Sequence, residues 1–77
     1  MTLEIDLHGL TVCYAIRLIQ RLIVQNPKCT CIEAIHGYNS GNVLKTILSN
    51  KYNIHNKRVL KTLPVPFNDG RTMIFLK

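Results

Sequence analysis

The sequence predicts an α/β domain with the element order βαβαββ, and three observations carry that reading. Two hydrophobic segments run into a His-Gly pair, His8-Gly9 and His36-Gly37. Each is followed by a stretch whose apolar residues recur at helical spacing. Two further extended segments then close the chain with no helical pattern between them.

Leu3-Glu4-Ile5-Asp6-Leu7 alternates apolar and polar residues, as a half-buried strand does. Gly9 breaks the alternation and Thr11 can cap the next element. Val12, Ala15, Ile16, Ile19, Leu22 and Ile23 make residues 11–25 an amphipathic helix, which Asn26-Pro27 stops. Cys29 to His36 is apolar and β-branched enough for a second strand, ended by Gly37. Ser40 is the expected cap of a second helix with Val43, Leu44, Ile47 and Leu48 as its buried stripe, ending at Ser49-Asn50. Arg58 to Leu63 reads as a third strand, residues 64–70 as a loop ending in the turn dipeptide Asp69-Gly70, and Thr72 to Leu76 as the last strand. That strand is apolar on both faces and should be central, whereas the first and third alternate and suit less buried positions.

At 77 residues the chain makes one domain, spanning 1–77, and its 47% hydrophobic content argues against disorder. Ten Lys and Arg against four Asp and Glu give a net charge of +6. That balance favours polyanionic partners, nucleic acid before anionic membrane. No run approaches the ~20 apolar residues of a membrane span and no signal-peptide pattern opens the chain, so it reads as cytoplasmic. The three cysteines are an odd count and are expected to be reduced. Cys29 and Cys31 would share a strand face, but no second pair stands at zinc spacing, and no metal ligand set is assigned.

Two consecutive βα units imply parallel pairing of the first two strands through a right-handed crossover. Ligands of such sheets bind beyond the carboxyl ends of the strands, where both His-Gly pairs fall. Asp6, His8 and His36 would then converge beside a helix N-terminus, a constellation suited to a phosphodiester. Each has a plainer reading: Asp6 a solvated strand residue, His8 a turn residue, His36 a side chain packed under a loop. Gly9 and the segment Gly37, Tyr38, Asn39, Ser40 and Gly41 would bring backbone amides to a phosphate. Lys45 lies one turn into the second helix, Tyr38 is placed to stack on a base or to cover the loop, and Arg17, Arg21 and Arg71 add positive charge. His55 is expected to be a surface residue.

Ile5-Asp6-Leu7-His8-Gly9-Leu10-Thr11-Val12 resembles the Leu-Asp-Leu-His-Gly-Leu-Thr-Val motif that opens the Smr (small MutS-related) domain. The segment from Ile35 to Gly41 resembles that family's His-Gly-x-Gly turn, and Asp69-Gly70-Arg71-Thr72-Met73-Ile74 its closing strand. The resemblance implies a two-layer sandwich with a four-stranded mixed sheet and both helices on one face, like the C-terminal domain of initiation factor three. It implies the fourth strand between the second and third. It also implies nucleic-acid binding with endonuclease, or nicking, activity on DNA or RNA. One histidine would activate the nucleophile and the other protonate the leaving oxygen, with Asp6 orienting His8 or helping to hold a divalent cation, the only cofactor in view. The chain departs from the family pattern at Asn39, where the second glycine is expected. Asn tolerates a left-handed backbone better than most residues, but its side chain takes up room beside the site. The alternative is a non-catalytic RNA- or DNA-binding module; a protein-interaction domain ranks third because it leaves the paired His-Gly segments unexplained.

Overall fold

The computed structural model describes residues 1–37 and 42–77. The elements are β1 (Thr2–Asp6), α1 (Val12–Gln25), β2 (Cys31–Ile35), α2 (Asn42–Leu48), a 3-10 helix (Lys51–Ile54), β3 (Val59–Val65) and β4 (Asn68–Leu76). The sheet order is β1-β2-β4-β3, with β1 and β2 parallel and β4 antiparallel to both of its neighbours. The two alternating strands are the edges, and the strand that is apolar on both faces lies inside, as the burial argument requires. One face of the sheet presents Leu7, Ile32, Ala34, Ile74 and Leu76 to Ala15, Ile19 and Ile23 of α1 and to Leu44 and Leu48 of α2, in a single core. Among the described residues nothing packs over the other face. Among the described residues no helix is long and apolar enough to cross a membrane.

Local signals set the helix ends. The Thr11 side chain accepts a hydrogen bond from the Tyr14 amide at 3.3 Å, satisfying one of the donors that a helix start leaves unpaired. At the other end, Asn26 Nδ2 donates to the Leu22 carbonyl at 2.8 Å, just before Pro27. α2 is only two turns long and buries Leu44 and Leu48, four residues apart, so Val43 of the expected stripe is 60% exposed. The 3-10 helix had no periodic signal. It is capped by the Asn50 side chain, buries Ile54 and is tied to α1 by a 2.8 Å bond from Gln20 Nε2 to the Ile54 carbonyl. All three cysteines are free thiols. Cys29 precedes β2 and joins the core, while Cys31 pairs with Thr2 and Phe75 on the other pleat, so the two do not share a strand face.

The segment expected as a loop is instead a hairpin. β3 continues through Pro64 to Val65, Pro66-Phe67 makes the turn, and β4 begins at Asn68. Pro64 is tolerated because β3 is an edge strand, where a missing N–H breaks no ladder on the outer side. Between the pairs Pro64↔Thr72 and Val65↔Asn68, β4 carries Asp69, Gly70 and Arg71 as extra residues. Asp69-Gly70 is therefore a bulge inside a strand, and it leans towards the end of β2.

Arg58, which as a sequence residue only added to the basic balance, is a structural clasp. Its Nη1 donates to the carbonyls of Ile23 at 2.9 Å and Asn26 at 3.3 Å. Its Nη2 donates to Pro27 at 2.9 Å, Cys29 at 2.8 Å and Lys77 at 3.2 Å. The guanidinium thereby adds charge-assisted bonds to carbonyls at the end of α1, where helix termini lack a full set of partners, and binds that end to the segments before β2 and after β4. Arg58→Ala should lower stability by about 2–4 kcal/mol, since hydrogen bonds to charged groups contribute most when their partners are left unpaired. In thermal unfolding this corresponds to a drop in Tm of roughly 8–30 °C, and Arg58→Lys, which cannot fork, should restore little of it.

Candidate functional site

β1 and β2 end side by side. The Leu7 amide donates to the Ile35 carbonyl at 2.7 Å, and the chain then reverses through a Leu10 N–H to Leu7 C=O bond of 3.0 Å. Gly9 at φ +79° occupies the third position of this turn, where a type II turn requires the left-handed region. His8 is thus held at the outward corner. An Asp6 carboxylate oxygen accepts from the His8 amide at 3.0 Å, a local bond of the kind that short acidic side chains make two residues on. The same oxygen is 4.0 Å from His8 Nδ1, with both side chains well exposed. Asp6 therefore fixes the backbone of His8 and stands at long ion-pair distance from its ring, which among the described residues makes no hydrogen bond.

The second His-Gly pair meets the first. Gly37 adopts φ +81°, and a Cβ placed on it would lie 3.8 Å from His8 Cβ and 3.9 Å from His8 Cδ2. The His8 side chain thus faces the open side of Gly37, at ordinary contact distance from where a Cβ would stand. The amides of His36 and Gly37 both donate to the Gly70 carbonyl, at 2.9 and 3.0 Å, so the β4 bulge holds this turn in place.

His36 itself points into the helix layer and is 1% exposed. Its Nδ1 is 3.2 Å from the Gly37 carbonyl and its Nε2 is 2.9 Å from the Thr72 hydroxyl. A carbonyl only accepts, so the network assigns the proton to Nδ1 and makes Nε2 the acceptor from Thr72. Burial pushes the His36 pKa below the ordinary histidine value, the Gly37 carbonyl pulls it up, and the Lys45 charge pushes it down. Asp6 and His36 therefore lie on opposite sides of the sheet, and His8 is the histidine at the surface between them. Among the described residues no group of three His, Cys, Asp or Glu side chains is arranged to hold a metal ion.

The expected phosphate-binding residues divide. Lys45 Nζ is 3.3 Å from an Asp69 carboxylate oxygen, a solvent-exposed pair that salt screens readily. Arg71 lies on the sheet face opposite the helices, 2.8 Å from Glu33 and 3.6 Å from Glu4, and is committed to those carboxylates. Arg17 and Arg21 are exposed one turn apart on the outer side of α1. Gly9 lines an open cleft of about 270 Å³ with Leu10, Thr11 and Val12 before and at the start of α1 and Val43 and Leu44 of α2. Tyr38, Asn39, Ser40 and Gly41 lie outside the described residues, and with them the expected cap of α2. Gly70, Thr72 and Asp69 have no assigned part in the site from sequence; Asp69-Gly70 reads there as a turn dipeptide, and all three fall in the closing-strand motif. A larger cleft of about 500 Å³ lies at the opposite end of the sheet, lined by Lys51, Lys57, Lys77, Tyr52 and His55 among others. His55 is exposed, as expected.

With this geometry in hand, the chain is similar to a solved structure, the Smr domain of MutS2 from Thermus thermophilus. The two share 24% identity over 96% of each chain, with a TM-score of 0.79. No protein-family model matches the chain, and no curated protein does. The chain has the Smr-domain fold, an α+β sandwich with a four-stranded mixed sheet and two helices.

The buried imidazole of His36 has a measurable consequence. Its folded-state pKa is lowered, so the unfolded chain binds the proton more readily and stability rises with pH through that interval. The contribution is fully present above about pH 6.5, the ordinary histidine value, and is lost on acidification towards the folded pKa. Urea midpoints should fall between pH 7 and 5, and His36→Gln should flatten that fall while lowering the pH 7 midpoint. A slope that persists unchanged in the variant would assign the effect elsewhere.

Proposed function

We propose that this chain is a nucleic-acid-binding domain, and that the edge where His8 faces Gly37 is its site, holding and nicking a backbone phosphodiester of DNA or RNA. The observation that carries the reading is the junction of the two His-Gly pairs: a solvent-exposed histidine facing a backbone with no Cβ, at the carboxyl ends of parallel strands. The net charge of +6 supports a polyanionic partner. The Smr fold agrees with the resemblance of the motifs around Asp6, His8 and His36.

In the catalytic form of the reading, the phosphate lies over Gly37 and His8 takes the proton of the attacking oxygen, as a positioned general base. Asp6 holds the His8 turn, and Lys45, released from its exposed pair with Asp69, neutralises charge on the phosphate. His36 is a positioning residue in this scheme, because both ring nitrogens are occupied below the surface. That occupation also favours the second reading, a binding module without cleavage, since one surface histidine leaves the leaving oxygen to be protonated by another group.

Cleavage of an end-labelled strand separates the two, run with magnesium and with a chelator. The wild-type chain should cut, His8→Ala should lose roughly 10²–10⁴-fold of the rate, and affinity should change little. Equal cutting by His8→Ala and wild type would end the catalytic reading. No cutting by either chain, with binding that weakens steeply as salt rises, would establish the module.

A further inference from the structure

Phe67 is 108% exposed at the tip of the β3–β4 hairpin, and its backbone is left-handed at φ +61°. For a bulky residue that conformation is an outlier, and Asn or Gly would occupy it with less strain. The position thus carries two disadvantages at once, a strained backbone and an aromatic ring left exposed rather than packed among the described residues. The turn requires the left-handed backbone at its third position, but not the aromatic ring. Pro66 restricts the preceding φ, and Val65↔Asn68 closes the hairpin, so the ring is presented on a stiff support.

Its location gives the exposure a purpose. β4 runs antiparallel to β2, so the hairpin tip stands at the same end of the sheet as His8 and Gly37. Phe67 is three residues before Gly70, whose carbonyl holds the amides of His36 and Gly37. Three residues span at most about 11 Å. Between the tip and that turn lies the ammonium of Lys45, 3.3 Å from Asp69. An exposed ring beside a cation held only by a solvent-exposed pair, in a strongly basic chain, matches a base-and-phosphate pair better than an apolar peptide.

We propose that Phe67 is the stacking platform for an unpaired base of a strand whose phosphate lies at the His8–Gly37 edge. The inference rests on the nucleic-acid reading above and sharpens it. A ring at the end of a tight turn stacks only on a base already out of a duplex, so the substrate class is single-stranded or looped nucleic acid.

The test measures binding of labelled single strands of about 12 nucleotides, DNA and RNA, and of a matched duplex, to the wild type, Phe67→Asn and Phe67→Trp. Phe67→Asn should bind single strands about 5- to 150-fold more weakly, the range for loss of one stacked base, with duplex affinity unchanged and Tm equal or higher. Phe67→Trp, the sole tryptophan in a chain that has none, should bind like the wild type and be quenched by the single strand. Equal single-strand affinity of Phe67→Asn and wild type, or an unquenched tryptophan in a complex that forms, overturns the inference and leaves the tip to a protein partner. A Tm that falls together with affinity overturns it too, because the ring would then be holding the hairpin. If the wild type binds none of the nucleic acids, the functional reading fails and the inference with it.

Discussion

A single carbonyl oxygen organises the end of the sheet. Gly70 O accepts from two successive amides, those of His36 and Gly37, and can do so only because β4 swells by three residues between Pro64↔Thr72 and Val65↔Asn68. A regular antiparallel ladder would have carried β2 straight on. The double acceptance instead turns the chain at Gly37, into a positive φ that no ordinary side chain adopts readily. That conformation, not lack of room, is what calls for glycine there, since a Cβ would stand at ordinary contact distance, 3.8 Å, from His8. Remove the bulge and the first His-Gly pair loses the floor beneath its histidine.

The imidazole of His36 completes the same joint from below. An apolar residue would fill the volume at less desolvation cost, but it would leave the Gly37 carbonyl and the Thr72 hydroxyl without the partners they now have. A neutral histidine answers both, donating at Nδ1 and accepting at Nε2. Burial enforces that neutrality, the same property that makes the ring a poor candidate for carrying charge to a substrate. The two histidines of the paired motif thus have opposite environments. One holds the backbone; the other is exposed on it.

Much of the architecture was legible in the residues. The strand that is apolar on both faces lies inside the sheet, the alternating strands lie at its edges, and Thr11 caps α1. What the sequence concealed has particular causes. Pro64, Pro66 and Asp69-Gly70 each signal a turn locally, yet only Pro66-Phe67 makes one, because an edge strand tolerates Pro64 and β2 recruits the Gly70 carbonyl. Val43 satisfies helical spacing in a helix too short to bury it. Arg58 looks like any surface cation until five carbonyls from four parts of the chain surround it. The His-Gly repeat predicted the meeting of its two halves, but spacing along a strand does not tell a histidine facing solvent from one facing the core.

The distribution of strain at this end of the molecule follows one logic. Gly9 and Gly37 take positive φ where glycine carries little penalty, in turns whose hydrogen bonds explain them. Phe67 takes it where glycine or asparagine would be more stable, with no contact among the described residues that accounts for the ring. Stability alone would remove such a residue, since the turn needs only its backbone. The turn accounts for the backbone of Phe67, and only the choice of a bulky ring over glycine or asparagine is left without a structural role. The nearness of that ring to the His8–Gly37 edge ties it to the site.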